Sequence, residues 1–196
     1  KADGSLTFSL LWRFNGPLRK LSGLSLAIGV AIANALEKLG AQGICLKWPN
    51  DVLLRQAEGI AKLAGILVEL SSDRRGTQAI IGIGLNLKTP DGDLPQAAAG
   101  LNEALGTLPD RHDILAVLLA ALAETLDVFA VDGFAGVKTD WQDHHAWQDL
   151  PVELLEEGRQ VSSGICRGAD MDGALLVETE AGIQRIFSGD LSLRRT

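Results

Sequence analysis

The chain contains few of the residues that build metal centres, and polar residues interrupt its apolar helical stretch. Its 196 residues include two cysteines and three histidines, and their positions do not match the Cys/His spacing of a zinc site. The apolar stretch at residues 24–36 is interrupted by Ser25, Gly29 and Asn34, so we interpret it as a buried helix and not as a membrane span. The chain also lacks a Ser/His/Asp or Cys/His nucleophile motif. These absences argue against a zinc enzyme, a membrane protein and covalent catalysis by a side chain.

Positive charge is scarce as well. The formal net charge of -7 argues against non-specific nucleic-acid binding, which needs dense positive charge. Cys45 and Cys166 both lie in apolar, strand-like runs, which predicts buried free thiols in a reducing compartment and hence a cytoplasmic protein. A Cys45–Cys166 disulfide is the less favoured alternative. With 46% apolar residues, the chain is long enough for one ordinary core and a small appended module.

One short segment concentrates polar and charged residues between two apolar runs. Residues 43–46 predict a strand that leads into Lys47, and Pro49 ends regular pairing, so Asn50 and Asp51 fall at a strand end or a tight turn. Lys62 opens the next apolar strand. Lysines placed together in this way can hold phosphate or carboxylate, and an aspartate beside an asparagine can hold a metal or a nucleophile. Edge protection and ordinary turn chemistry explain the same residues, so the spacing alone leaves both interpretations open.

A second informative pattern occurs at residues 80–87. Alternation along this predicted strand puts Gly82, Gly84 and Asn86 on one face and branched apolar residues on the other. A face without side chains lets a flat ligand lie directly on the sheet, or lets a helix pack closely against it. The pattern by itself does not choose between a ligand and a helix.

The remaining elements define the fold class. Residues 5–14 predict a strand, and residues 24–39 predict a helix that Ser22 or Ser25 caps. Gly40 is suited to end that helix. The other predicted elements are a long helix that starts at Asp110 or Asp113 and ends at Asp132, and short strands with turns from Pro151 onward, typical of a small five-stranded barrel.

The charged segment resembles the signature of a known family. The matching residues are Lys47-Trp48-Pro49-Asn50-Asp51 followed by Lys62-Leu63-Ala64-Gly65-Ile66-Leu67, and the string resembles that of the biotin protein ligases. Gly82-Ile83-Gly84-Leu85-Asn86 resembles the family's next block, and Arg167-Gly168-Ala169-Asp170 resembles part of its C-terminal domain. The resemblance implies an α+β fold, with a mixed or antiparallel sheet packed with helices (class II synthetase-like) at residues 1–149 and an SH3-like β-barrel at residues 150–196.

The resemblance also implies a reaction. Enzymes of this family let the biotin carboxylate attack the α-phosphorus of ATP, which gives biotinyl-5′-AMP and pyrophosphate. A lysine amine of the biotin carboxyl carrier protein then attacks the mixed anhydride and releases AMP. Neither step needs an enzyme nucleophile, so the expected work of the site is positioning and charge stabilisation. The implied substrates are ATP and biotin, and the implied metal is Mg²⁺.

By resemblance, particular residues receive roles. Lys62 is expected to contact the biotin carboxylate and the α-phosphate, with Lys47 and Asp51 as further catalytic residues. Asp51 is also expected to orient or deprotonate the incoming lysine. Trp12 is expected beside the adenine, with an ordinary core aromatic as the open alternative, and Arg167 is expected to reach the nucleotide phosphates. The expected ligand-contacting residues are Lys62, Gly65, Gly82, Gly84, Asn86, Asn50, Trp12 and Arg167, and the expected Mg²⁺ ligands are Asp51 and Asn86.

Two family segments have no counterpart in the chain. These are a Gly-Arg-Gly-Arg-x-Gly loop followed by Trp-x-Ser, and an upstream Ser/Thr pair that contacts the ureido ring of biotin. We therefore expect that residue 1 lies inside a domain whose N-terminal part is missing, and that these residues alone are not a competent ligase. Alternatives are a lipoate-type ligase, a biotin-dependent repressor and a non-catalytic ligand-binding module. Nucleic-acid binding would require a missing N-terminal domain, and a homodimer through sheet edges stays open.

Overall fold

Within the part of the chain that the structure describes, the fold contains two antiparallel sheets and four α-helices. The computed structural model describes residues 4–74, 76–92, 96–156, 159–187 and 191–195. The strands of the first sheet follow the spatial order β1-β5-β4-β3-β2, and those of the second the order β10-β6-β7-β8-β9, which confirms the predicted α+β class. The strands are β1 Ser5–Phe14, β2 Ile44–Lys47, β3 Asp51–Gln56, β4 Gly59–Asp73, β5 Gly76–Asn86, β6 Pro151–Glu156, β7 Arg159–Ala169, β8 Leu175–Thr179, β9 Gly182–Ile186 and β10 Leu191–Arg195. The helices are α1 Leu24–Lys38, α2 Leu101–Leu105, α3 Arg111–Asp132 and α4 Lys138–His144.

The first sheet buries one face and leaves part of the other open. On β5, Ile81, Ile83 and Leu85 are at most 1% exposed and belong to the core, which includes α1 and the inner side of α3. Gly82 and Gly84 lie between them on the opposite face, as the alternation of a strand requires. The predicted division of this strand into an apolar face and a bare face is confirmed, and a Cβ atom placed on Gly84 would meet nothing within 4 Å.

Helix α1 lies almost entirely within the core, because most of its own residues are small or branched apolar residues that are buried. Its N-terminus differs from the prediction: neither Ser22 nor Ser25 caps it, and the N-cap is Gly23 at φ 77°. Ser22 instead donates its hydroxyl hydrogen to the carbonyl of Asp172 at 2.6 Å. The C-terminus agrees with the prediction, because Gly40 adopts φ 98° and its N–H bonds to the carbonyl of Glu37 at 2.8 Å, as in a glycine C-cap.

Two helical segments are long and apolar enough to cross a membrane, although the sequence argues against a membrane protein. The segment Leu18–Lys38 is 67% buried within the fold, and Arg111–His144 is 33% buried. The first contains α1, which packs against α3 and the first sheet. A core helix satisfies the same length and composition test, so this result does not by itself place either helix in a membrane.

The second sheet begins at Pro151, next to the boundary predicted at residue 150. Its turn at residues 170–174 contacts the N-terminus of α1 through glycine. A Cβ atom placed on Gly173 would lie 2.6 Å from the Cα of Gly23, and one on Gly23 would lie 2.7 Å from the Cβ of Phe134. The indole N–H of Trp48 donates to the carbonyl of Gly173 at 3.2 Å. The turn of the second sheet and the N-terminus of α1 therefore meet backbone to backbone, beside the segment that the sequence singled out.

Candidate active site

The hairpin between β2 and β3 places Lys47 opposite Asp51. Their side chains form an ion pair, with 2.9 Å between Nζ of Lys47 and Oδ2 of Asp51. The three residues between them include a cis peptide bond at Trp48-Pro49. Asn50 fixes this turn to β4, because its side-chain amide donates to the carbonyl of Ile66 at 2.9 Å and its own carbonyl accepts from the Ile66 N–H at 3.0 Å. The turn is thus held by the neighbouring strand.

Lys62 completes a three-residue charge cluster. Its Nζ lies 2.6 Å from Oδ1 of Asp51, so each carboxylate oxygen of Asp51 faces a different ammonium group. A register shift between Val52 and Leu53, where β3 pairs with β4, accompanies this approach. The side chain of Asp51 is 9% exposed, whereas that of Lys62 is 32% exposed. With two ammonium groups and one carboxylate the cluster keeps a net positive charge, and its accessible end is Lys62.

A cavity of about 330 Å³ adjoins Lys62, at the lower end of the range for small-molecule sites. Gly65 makes room for the lysine, because a Cβ there would lie 3.3 Å from Cε and 3.4 Å from Nζ of Lys62. A Cβ on Gly84 would meet only open space within 4 Å. The bare face of the sheet is therefore the floor of a cavity with a lysine ammonium at its wall. The cavity is lined by Lys62, Ala64, Gly65, Gly84, Asn86, Pro90, Gln96 and Ala98.

The loop after β5 closes one side of this cavity. The N–H of Lys62 donates to the carbonyl of Ala97 at 2.8 Å, and the Lys62 carbonyl accepts from the Ala99 N–H at 2.9 Å. The amide of Asn86 donates to the Lys62 carbonyl at 3.4 Å and to that of Ala99 at 3.2 Å. Asn86 therefore holds the loop on β4. Sequence reasoning did not find Pro90, Gln96 or Ala98, because this loop has no periodicity or charge that would mark a site.

The predicted magnesium site is not supported by the donor set. Both oxygens of Asp51 already face ammonium groups, and the Asn86 amide donates to backbone carbonyls. A divalent cation prefers several oxygen ligands, and at Asp51 it would lie against two like charges. Within the described ranges, no three His, Cys, Asp or Glu side chains are grouped so that they could hold a metal ion. Asp51 does not fit a metal ligand in this arrangement, and the metal role of Asn86 stays a prediction.

Two further predicted residues lie away from the cluster. Trp12 pairs with Ala79 across β1 and β5, so its side chain projects to the helix side and packs against the core. The open alternative, an ordinary core aromatic, is the one that the structure favours.

Arg167 forms ion pairs with Asp149 at 2.7 Å and with Glu178 at 2.6 Å. The structure does not bring the Arg167 guanidinium to the cavity, because Asp149, just before the second sheet, and Glu178, within it, hold it.

The other predicted residues divide into two groups. Lys62, Gly65, Gly84 and Asn86 line the cavity. Gly82 is on the same sheet face but is not a lining residue, and a Cβ on it would meet Leu67 at 3.7 Å. The site roles themselves remain predictions.

Comparisons with known proteins agree with this geometry. The Biotin/lipoate A/B protein ligase family matches residues 1–86, and the Biotin protein ligase C terminal domain matches residues 151–194. The bifunctional ligase/repressor BirA of Escherichia coli is 36% identical over 195 residues, which cover 97% of this chain and 59% of BirA. The biotin–[acetyl-CoA-carboxylase] ligase of Paracoccus denitrificans is 32% identical over 196 residues, covering 96% of this chain and 80% of that enzyme.

Solved structures show the same likeness. The biotin protein ligase from Aquifex aeolicus matches with a TM-score of 0.84 and 32% identity, over 98% of this chain and 83% of that chain. The same enzyme in complex with biotin and ATP matches with a TM-score of 0.80 and 32% identity, over 98% and 79%. The chain spans 59% of the length of BirA and a larger share of the Paracoccus and Aquifex ligases. On its sequence, both sheets and the lysine-walled cavity, this chain belongs to the biotin protein ligase family.

Proposed function

We propose that this protein joins biotin to a lysine of the biotin carboxyl carrier protein through biotinyl-5′-AMP. The observation that carries the proposal is the position of Lys62, whose ammonium lies at the wall of a cavity with a glycine floor. The flat ring system of biotin fits a floor that lacks side chains. Its carboxylate then reaches the ammonium at the cavity wall, where the α-phosphate of ATP would also lie.

In the first step, a carboxylate oxygen of biotin forms a bond to the α-phosphorus while the bond to the pyrophosphate oxygen breaks. Negative charge shifts from the carboxylate to the transferred phosphoryl group and the leaving pyrophosphate. An ammonium about 4 Å from such a charge interacts by roughly 4 kcal/mol at an effective dielectric constant near 20. Asp51 holds Lys62 at 2.6 Å, so the ammonium is in place before the charge moves, which is the requirement for electrostatic catalysis.

In the second step, the amine of the carrier lysine attacks the carbonyl carbon of biotinyl-5′-AMP, and the bond to the phosphate oxygen breaks. The amine loses a proton and AMP leaves. Asp51 is the described carboxylate nearest to Lys62, and we propose that it orients the incoming lysine or receives its proton. Lys47 keeps the second carboxylate oxygen paired at 2.9 Å, which limits the directions from which another amine can approach.

The direct test supplies the intact protein with ATP and biotin and measures pyrophosphate release, followed by the mass of an added carrier protein. The expected result is pyrophosphate release that requires biotin, and a carrier mass increase that is absent from a carrier whose target lysine is changed to arginine. Lipoate in place of biotin is the matched control. Release with lipoate alone would support a lipoate-type ligase, and release with neither acid would support a non-catalytic binding module.

Changing Gly65 to alanine should lower the rate of biotinyl-5′-AMP formation about 10-fold, because a displaced catalytic group costs rate even when the fold is kept. The added methyl group would lie 3.3 Å from Cε of Lys62 and would push the ammonium from Asp51. Ser71→Ala is the matched control, since this residue is exposed on the same strand and does not line the cavity. Equal rates in the two variants, measured by pyrophosphate release, would contradict this role of Gly65.

A regulatory role is the second candidate, because BirA is a bifunctional ligase/repressor. The net charge of -7 gives the present residues no basis for binding DNA, so such a role requires residues other than these. Gel-shift measurements with the intact protein, with and without biotin and ATP, would detect it.

The free, buried Cys45 and Cys166 support the cytoplasmic location that we propose.

A further inference from the structure

A buried histidine lies between the site hairpin and the second sheet. His145 is 6% exposed and follows α4. Its Nδ1 lies 3.1 Å from the carbonyl oxygen of Leu46, and its Nε2 lies 3.1 Å from Sγ of Cys166 on β7. The ring stacks on Trp141, with 4.5 Å between centroids and 24° between planes. Three elements thus fix the orientation of this imidazole.

The partners of His145 determine where its proton resides. A carbonyl oxygen only accepts, so Nδ1 carries the hydrogen and donates it to Leu46. Burial lowers the pKa of His145 to about 4, so at neutral pH the ring is uncharged and Nε2 keeps its lone pair. Burial also raises the pKa of the Cys166 thiol, which therefore keeps its hydrogen and donates it to Nε2. The pair is not a nucleophilic dyad, because neither group is ionised in the way that such chemistry needs.

The carbonyl that His145 contacts belongs to the peptide bond between Leu46 and Lys47. Strand β2 is an edge strand of the first sheet, and Leu46 forms a bridge with His145 on the side away from β3. The Leu46 carbonyl oxygen accepts two hydrogen bonds, one from His145 and one from the N–H of Ala146 at 2.9 Å. The Lys47 ammonium also lies 5.8 Å from the ring centroid of Trp147. Residues 145–147 thus contact both the Leu46 carbonyl and the Lys47 side chain, which together place Lys47 beside Asp51.

We propose that His145 is a positioning residue for the ligase site, and that it acts by fixing the Leu46–Lys47 peptide and through it the Lys47–Asp51 ion pair. This inference rests on the proposed function. Strand β2 has four residues and therefore few backbone hydrogen bonds to β3. A donor outside the sheet, His145, thus helps to set the orientation of the Leu46–Lys47 peptide. A 1 Å displacement of a catalytic group is enough to cost a large factor in rate.

The test compares two amide replacements of similar size. His145→Asn keeps an N–H near the Nδ1 position, whereas His145→Gln places its amide near Nε2 and leaves the Leu46 carbonyl without this donor. We expect the Asn variant to keep kcat for adenylate formation within about 3-fold, and the Gln variant to lose about 10-fold in kcat. The KM values for ATP and biotin should change little in both. Equal kcat values for the two variants would overturn the proposal.

A second measurement does not depend on turnover. The ¹³C shift of the Asp51 carboxylate reports its ion pairs, and it should change in the Gln variant and not in the Asn variant. If wild-type protein releases no pyrophosphate while the shift behaves as expected, the proposed function fails and the positioning role stands. If the Gln variant does not fold, Cys166→Ala replaces it: loss of the thiol donor should shift the Asp51 signal, and Cys166→Ser should restore it. An unchanged Asp51 signal in Cys166→Ala would overturn the proposal.

Discussion

Replacing Lys62 with alanine in the intact protein should slow biotinyl-5′-AMP formation by about 100-fold or more, the usual effect of removing one preorganised charge-stabilising group. The side chain is the accessible end of the charge cluster and lines the cavity. Asp51 would retain its ion pair with Lys47 at 2.9 Å, so no buried carboxylate loses all its partners. The fold should therefore survive, with a melting temperature within a few degrees of wild type, and the loss should fall on kcat.

Lys38→Ala is the matched control, because this lysine is exposed at the end of α1 and is remote from the cavity. Its rate of pyrophosphate release should equal that of wild type. A near-normal rate in Lys62→Ala would show that another group neutralises the reacting phosphate. In that case Lys47→Ala would be the next variant to measure.

Acidification should destabilise the protein through His145. Its pKa is about 4 in the folded protein, against 6.5 for an ordinary histidine. As the pH falls below 6.5, the unfolded chain binds a proton that the folded protein does not, so the free energy of unfolding decreases. The decrease continues until the pH approaches the folded-state pKa and amounts to about 3 kcal/mol. Above pH 6.5 this residue makes no pH-dependent contribution.

Urea unfolding at pH 7 and pH 4.5 measures the effect. The His145→Asn variant should lack this part of the pH dependence, whereas the same substitution at the exposed His112 should leave it in place. The nearby charged and titratable groups are Lys47 on β2, Cys166 and Arg167 on β7, His144 on α4, and Asp149. Equal slopes of stability against pH in wild type and His145→Asn would contradict the assignment to His145.

Much of the candidate site could be predicted from the sequence. The pairing of Lys47 with Asp51 follows from a short strand that ends at a proline, and the family signature adds Lys62. The alternation of glycine along β5 predicts the bare face without any knowledge of neighbouring strands. These features are local, and local spacing determines them.

The positions of Trp12, Arg167 and His145 depend on pairing that local spacing does not contain. Trp12 lies on the helix side because it pairs with Ala79, and a shift of one residue would have put it on the open face. Arg167 is held by Asp149, 18 residues away in sequence, and by Glu178 on the neighbouring strand β8. The role of His145 could not be found either, since its partners Leu46 and Cys166 come from the two different sheets.

The contact between Gly23 and Gly173 constrains how this chain can be recombined with its relatives. Neither residue leaves space for a methyl group, so a C-terminal sheet grafted from another ligase would seat here only if its turn also presents glycine. Alanine at position 173 would separate the turn from the helix and withdraw the carbonyl that holds Trp48, whereas alanine at position 23 would press against Phe134. Successful exchange of the C-terminal module therefore requires that positions 23 and 173 both keep a residue without a side chain.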